Sequence, residues 1–210
     1  MLTVNYKKNI IAPITYCFHN LNPEVAKYQK KVFDFFKLPL NQFSGGLSHG
    51  RFIDEIINST NFDAYIIFDI DCIPLKNIIY DYLLIELFKE ECIIGIEQTC
   101  NCNTSIGHIY AGPACFAITK NTYEKLGKPS FCENIRSDVA QELTHVCREK
   151  NIKTKFLKFG HANNKLWKLD NNRCFGFGSI YENGLIYHQF QITKNGQEFI
   201  NKCKETIGEV

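Results

Sequence analysis

The sequence predicts a single α/β domain, a Rossmann-like arrangement in which helices flank a mostly parallel central sheet. Three observations carry this reading. Two apolar runs, residues 10–18 and 64–70, lack the in-out alternation of a half-exposed strand, so both of their faces must be covered. Segments at helical spacing alternate with these runs in the order strand, helix, strand, helix, strand. A length of 210 residues, with no internal repeat, low-complexity stretch or linker, suits one domain with a sizeable core.

The elements follow in order. Residues 10–18 form an apolar, β-branched strand containing Pro13 and leading into His19 and Asn20. Asn22 and Pro23 open a helix, Asn as N-cap and Pro at the first helical position. Val25, Tyr28, Val32, Phe35 and Phe36 then recur at helical spacing until Leu38-Pro39. A short strand at 40–43 precedes the Ser44-Gly45-Gly46 turn. Ser48-His49-Gly50-Arg51 leads into a second helix with Phe52, Ile56 and Ile57 inward. The third strand runs from Ala64 to Asp71, and Pro74 prevents its continuing as a central strand.

Beyond it the pattern gives a helix at 78–89, a strand at 92–97 and a polar loop at 98–107. Tyr110-Ala111-Gly112-Pro113 reads as a turn, 114–119 as a strand and 121–126 as a short helix with Gly127 at its C-cap. A helix at 137–150 with Val139, Leu143 and Val146 inward precedes a strand at 153–159. The tail is less regular until a strand at 184–190 and a terminal helix from about Thr193.

Composition narrows the functional classes. A formal net charge of +2 implies neither a strong nucleic-acid field nor an acidic tail. Residues 1–9 lack the apolar core of a signal peptide, and no run approaches the ~18 apolar residues of a membrane span. The ten cysteines are scattered, with only Cys100-Asn101-Cys102 close-set and no paired CxxC unit. Reduced thiols in a cytosol-like compartment, most of them acting as small buried hydrophobes, are the expectation, and with it a cytoplasmic location (host cytoplasm for a viral protein).

The chemistry concentrates where the third strand ends. Asp69 and Asp71 are two apart, so on a strand their carboxylates share a face. Side by side they repel unless a cation lies between them, and a divalent ion is the usual solution. The carboxyl end of a parallel strand is also where open α/β sheets bind ligands. The bland alternative is a pair of aspartates capping a turn.

Three segments carry a family resemblance: Phe68-Asp69-Ile70-Asp71-Cys72-Ile73-Pro74-Leu75, the stretch from Tyr110 to Gly127, and the late Tyr187-His188. Together with the element order, they resemble the nucleotide-sugar-dependent glycosyltransferases of the A-type (GT-A) fold. The resemblance implies a Mn²⁺ or Mg²⁺ ion on the Asp-x-Asp motif, bridging the diphosphate of a sugar nucleotide. Asp69 would reach the ribose or the metal, Asp71 the metal, and His188 would complete the ion's shell, a carboxylate and imidazole set that suits Mn²⁺. Residues 10–97 would then be the donor half, 98–190 the acceptor half and 191–210 a C-terminal helix.

Donor binding is expected from Thr15, Phe18 and His19 at the end of the first strand. The second helix would add its N-terminus, with His49 and Arg51 on the diphosphate; a plain Ser48 cap with a solvated Arg51 is the alternative. A catalytic base is sought among Glu133, Asp138 and Glu142, with Asp138 chosen, although Asp there also suits an N-cap. The sequence lacks the Glu-Asp pair of many inverting members, so inversion and retention both stay open. Gly112 and Pro113 would let an acceptor approach the backbone, or only make a turn.

Lys150, Lys153, Lys155, Lys158, Lys165 and Lys168 interleave with aromatics, compatible with an anionic partner or with a solvated face. The acceptor stays open, a glycan or nucleic acid (a modified viral DNA base among them). Two rival functions are a non-catalytic sugar-nucleotide-binding module and a haloacid-dehalogenase-like phosphatase with Asp69 as nucleophile. The phosphatase motif belongs near the N-terminus, whereas here a strand-helix-strand-helix unit precedes it.

Overall fold

A computed structural model describes residues 11–18, 21–100 and 108–209. Its central sheet has six strands in the order β2-β1-β3-β6-β5-β7. These are β1 (Ile11–Phe18), β2 (Asn41–Gly45), β3 (Ala64–Asp69), β5 (Cys92–Gln98), β6 (Tyr110–Thr119) and β7 (Lys153–Leu157). β2, β1 and β3 pair in parallel, as do β5 and β7, while β6 runs antiparallel to both β3 and β5. The mostly parallel α/β class read from the sequence is the fold observed.

The absence of alternation in β3 has a direct cause. Ala64, Ile66 and Phe68 enter one core, with Val25 and Phe33 of α1 (Pro23–Phe35) and Leu83 of α3 (Ile79–Lys89). Tyr65 and Ile67 enter the opposite core, with Ile53 of α2 (His49–Ser59), Tyr123 of α4 (Lys120–Leu126) and Leu143 of α5 (Gln141–Glu149). Each large side chain so buried contributes roughly 1.5–3 kcal/mol. The Asn22 carboxamide accepts the Glu24 N–H at 3.0 Å and Pro23 follows, the start that the sequence predicts for α1.

A second sheet, wholly antiparallel, has the order β4-β10-β9-β8. It contains β4 (Cys72–Pro74), β8 (Phe159–Lys168), β9 (Cys174–Tyr181) and β10 (Ile186–His188). The chain leaves β3 at Asp69, turns at Ile70 and Asp71, and enters β4 at Cys72. That turn carries it from one sheet to the other. The terminal helix α6 (Ile192–Ile207) packs against α1.

Several expectations are corrected. Asp71 is not on the third strand but in the turn beyond it, so strand alternation does not bring the carboxylates together. Residues 110–113 belong to β6, and the pairing with β5 breaks register between Gly95 and Ile96, which leaves Pro113 outside a paired position. The helix predicted at 137–150 begins at Gln141, because Ala140 has φ 65° and gives its N–H to the Phe131 carbonyl at 2.9 Å. The β8-β9 hairpin is the largest element the sequence pattern missed. Cys72, Cys92, Cys115, Cys147 and Cys203 are buried thiols, while Cys100 is disulfide-bonded, against the reduced state expected of all ten.

Candidate functional site

Gln29 fixes the backbone of the turn between the two sheets. It is fully buried on α1, and its Nε2 donates its two hydrogens to the carbonyls of Asp69 (2.8 Å) and Cys72 (3.0 Å), with Thr15 Oγ1 3.2 Å away. Its own Oε1 accepts from Gln42 Nε2 at 3.0 Å. A buried amide is satisfied in this way, and the two carbonyls it grips bracket Ile70 and Asp71.

His188 reaches the turn from the other sheet. β10 pairs antiparallel with β4 so that His188 lies opposite Cys72, and the Gln189 N–H continues the pairing onto the Asp71 carbonyl at 3.0 Å. His188 Nε2 is then 3.2 Å from Asp71 Oδ1, and its ring packs on Phe190 with centroids 3.8 Å apart. One ligand atom each from Asp69, Asp71 and His188 falls within a sphere of contacts no wider than 4.8 Å. Two carboxylate oxygens and an imidazole nitrogen are a donor set for a divalent ion.

His49 stands on the far side of Asp69, its Nε2 2.9 Å from Oδ1. That buried oxygen therefore faces the His49 imidazole. Burial works against a charged imidazole, but the Asp69 carboxylate, with Asp71 behind it, outweighs burial and raises the His49 pKa. Burial likewise opposes ionisation of Asp69, and the neighbouring His49 and His188 outweigh it, lowering the Asp69 pKa.

Two cavities meet at the carboxylates. One, of ≈ 260 Å³, has Tyr16, Leu21, Ile192 and Thr193 in its walls. The other, of ≈ 210 Å³, has Gln98, Tyr110, Pro113, Asp138 and Phe190. His49, Asp69, Asp71 and Gln191 line both. Phe190 and Gln191 hold φ of 56° and 50°, consecutive left-handed residues that carry the chain from His188 into α6 across this junction.

Asp138 is not the N-cap of α5, a position taken by Ala140. Its Oδ1 accepts the Val139 N–H at 2.8 Å and its Oδ2 accepts the Tyr110 hydroxyl at 3.0 Å. Of the three carboxylates weighed as a base, it lines the cavity that holds Asp69, Asp71 and His188. Glu133 is exposed and lies outside both cavities. Glu142 is engaged by Arg136, Ser137 and Asn134, and chiefly the Arg136 guanidinium holds its pKa down to about 2.

The remaining expected residues divide. Thr15 is fully buried and donates its hydroxyl to the Phe68 carbonyl, so it ties β1 to β3 and cannot meet a donor; Tyr16 lines the cavity instead. Phe18 ends β1, its side chain lies outside the description, and His19 lies outside the described residues altogether. Arg51 is exposed on α2 and lines neither cavity. Gly50 is required by packing, since a Cβ there would lie 2.7 Å from the Phe131 carbonyl oxygen.

Pro113 lines the second cavity, whereas Gly112 is buried, and a Cβ on it would stand 2.5 Å from Gln98 Oε1. The glycine makes room for the protein's own amide and not for an acceptor. Three lysines of the stripe are ion-paired: Lys153 with Glu90 (2.9 Å), Lys155 with Glu86 and Glu90, and Lys158 with Glu97 (3.1 Å). Among the described residues no helix is long and apolar enough to cross a membrane.

Comparison with known proteins adds a fold. No protein-family model matches the chain, and no curated protein matches it in sequence. Among solved structures it is similar to a mutant Drosophila β1,4-galactosyltransferase 7 in complex with manganese, UDP-Gal and xylobiose. That match has 11% identity and a TM-score of 0.54, and covers 89% of this chain and 73% of the other. A glycosyltransferase involved in glycosylation of the major capsid of PBCV-1 aligns over 96% of this chain and all of its own, at 8% identity and a TM-score of 0.48. A197 from STIV aligns over 86% of this chain and 94% of its own, at 13% identity and a TM-score of 0.48. The similarity to the galactosyltransferase structure, together with the Asp69-x-Asp71 group, gives this chain a GT-A-like fold.

Proposed function

We propose that this protein is a metal-dependent glycosyltransferase that moves a sugar from a nucleoside-diphosphate sugar to an acceptor hydroxyl. The observation that carries the reading is the position of Asp69 and Asp71 where the two cavities meet, with His188 beside them in the second. Asp69, Asp71 and His188 would hold the ion, Mn²⁺ before Mg²⁺ given the imidazole. The Drosophila neighbour, solved with manganese and UDP-Gal, makes that pair the first to try. A bound divalent ion supplies positive charge against the negative charge that grows on a departing diphosphate.

The chain's own residues do the rest. Tyr16, held by the Leu47 N–H on its hydroxyl (2.7 Å) and stacked on Phe52, gives the first cavity a fixed aromatic wall for the nucleotide. The sugar would project past the carboxylates into the second cavity, toward Asp138. There the bond from the anomeric carbon to the diphosphate oxygen breaks as the acceptor oxygen bonds to that carbon. Asp138 takes the proton from the acceptor hydroxyl in an inverting reaction. Tyr16 and the first cavity thus serve the donor nucleotide, and Gln98, Tyr110, Pro113 and Asp138 of the second cavity serve the acceptor side.

A thermal-shift screen of nucleotide sugars, with and without Mn²⁺, tests this. Stabilisation by one sugar nucleotide that requires the metal supports it. An unchanged shift in Asp71→Ala would sink the metal assignment.

A further inference from the structure

Gln98 and Tyr110 are direct partners across the β5-β6 pairing, so their side chains stand on one face of the sheet. Both are buried, at 6% and 1% exposure, and both line the second cavity. Gln98 Nε2 donates to Tyr110 Oη at 2.9 Å, and Tyr110 Oη donates to Asp138 Oδ2 at 3.0 Å. A phenol has one hydrogen to give, and with the amide N–H on its oxygen that hydrogen points at Asp138. Gly112 completes the arrangement, because any side chain there would displace the Gln98 amide.

The other end of the carboxylate is held as well. Asp138 Oδ1 accepts the Val139 N–H, and the Asp138 N–H is taken by Gln141 Oε1 at 2.9 Å. Among the described residues, two of the roughly four acceptor positions of this carboxylate are filled by the protein, and the rest remain for a hydroxyl in the cavity. Burial, reinforced by the Asp138 carboxylate, raises the Tyr110 pKa well above its ordinary value, so the phenol stays a donor.

We propose that Gln98 and Tyr110 form a positioning relay that aims the Asp138 carboxylate at the acceptor hydroxyl. The relay rests on Asp138 being the base of the proposed transfer. Neither residue need touch the substrate. Gln98 acts through Tyr110, and Tyr110 through Asp138, so their effects must be coupled. A general base contributes roughly 10²–10⁴-fold, and one left free to rotate loses part of that.

The test is UDP release from UDP-galactose with Mn²⁺, water standing in for the acceptor. Water gives its proton to Asp138, its oxygen bonds to the anomeric carbon, and the bond to the diphosphate breaks, yielding galactose and UDP. Tyr110→Phe is expected to lower kcat about 10–100-fold with KM for UDP-galactose within about twofold of wild type. Gln98→Met should lower kcat about 3–10-fold alone and have no further effect in the Tyr110→Phe background, since one side chain acts through the other.

The metal-dependent thermal shift with UDP-galactose reports whether each variant is folded and binds donor. Wild-type kcat in Tyr110→Phe, or independent multiplicative losses in the double variant, would overturn the relay while leaving Asp138 as base. Unaltered kcat in Asp138→Asn would overturn the base assignment and the relay with it. So would a wild-type protein that binds UDP-galactose but releases no UDP.

Discussion

His188 Nε2 lies 3.2 Å from Asp71 Oδ1, although the two residues are 117 positions apart in the chain. The contact comes from backbone pairing, because β10 runs antiparallel to β4 and sets His188 against Cys72, the residue that follows Asp71. A side chain held by a strand register can be removed without unravelling the strand. Asp71→Ala and His188→Ala are each expected to abolish the Mn²⁺-dependent thermal shift while lowering the metal-free Tm by only a few degrees, read by melting with and without Mn²⁺.

Gln29→Leu should be more damaging than its helix position suggests. The leucine fills the space but leaves the Asp69 and Cys72 carbonyls without their donor, together worth about 2–3 kcal/mol. In a chain of this size that is a fall of about 4–12 °C. The Mn²⁺-dependent shift should weaken too, because the turn between Asp69 and Cys72 loses its clamp. Urea unfolding gives the stability, and a Mn²⁺ titration gives the affinity.

Glu97 supplies the clearest acid dependence. It is 2% exposed on β5 and accepts from Arg173 (2.7 and 3.2 Å), from Lys158 Nζ (3.1 Å) and from the Phe159 N–H (3.1 Å). Burial opposes its charge, yet these donors, Arg173 foremost, win and lower its pKa. A carboxylate whose folded pKa is lowered stabilises the fold above its unfolded value of about 4.3, and that stability is lost as pH falls through the folded value. Glu97→Gln should therefore cost about 2 kcal/mol at pH 7, with the gap from wild type closing only below about pH 4.3. Melting both proteins from pH 7 to pH 3 measures it.

Gly176→Ala tests the hairpin. A Cβ at this position would stand 2.1 Å from the Asn164 carbonyl oxygen on the neighbouring strand, where no side chain can yield. β8 must separate from β9, at a cost of more than about 2 kcal/mol, whereas Gly184→Ala meets open space and is opposed only by its φ of 79°. Hydrogen exchange across β8 should accelerate in the first variant and not in the second.

The legible parts of the sequence were those with local causes. Buried strands β1, β3 and β5 announced themselves as unalternating apolar runs, and Asn22-Pro23 as a helix start, because burial on both faces and capping each leave a mark within a few residues. The turn after Asp69 left none. Ile70 is as apolar as the strand before it, and the turn depends on Gln29, 40 positions earlier than Asp69. Gln29 itself looks like any polar helix residue until α1 packs over the end of β3.

β8 was missed for the opposite reason. Residues 161, 163, 164, 165 and 166 are exposed on the edge of the second sheet, so this strand has no buried face to generate a pattern. Gly112-Pro113 gave a strong turn signal that a break in the β5-β6 register absorbed. Within the site, the Asp-x-Asp pair and His188 could be picked out by residue type and position. His49 lines both cavities and stands against Asp69, a placement that local spacing does not show. The Gln98–Tyr110–Asp138 chain joins three segments through strand register, which no local spacing encodes.

The turn that passes the chain from one sheet to the other has a consequence for how the molecule holds together. Asp69 ends a strand of the central sheet, while His188 ends a strand of the second. An ion gripped by both would be a rivet through the seam between two separately hydrogen-bonded layers. Its binding energy would then also be docking energy, and slippage of the smaller layer would be felt first as a loss of metal.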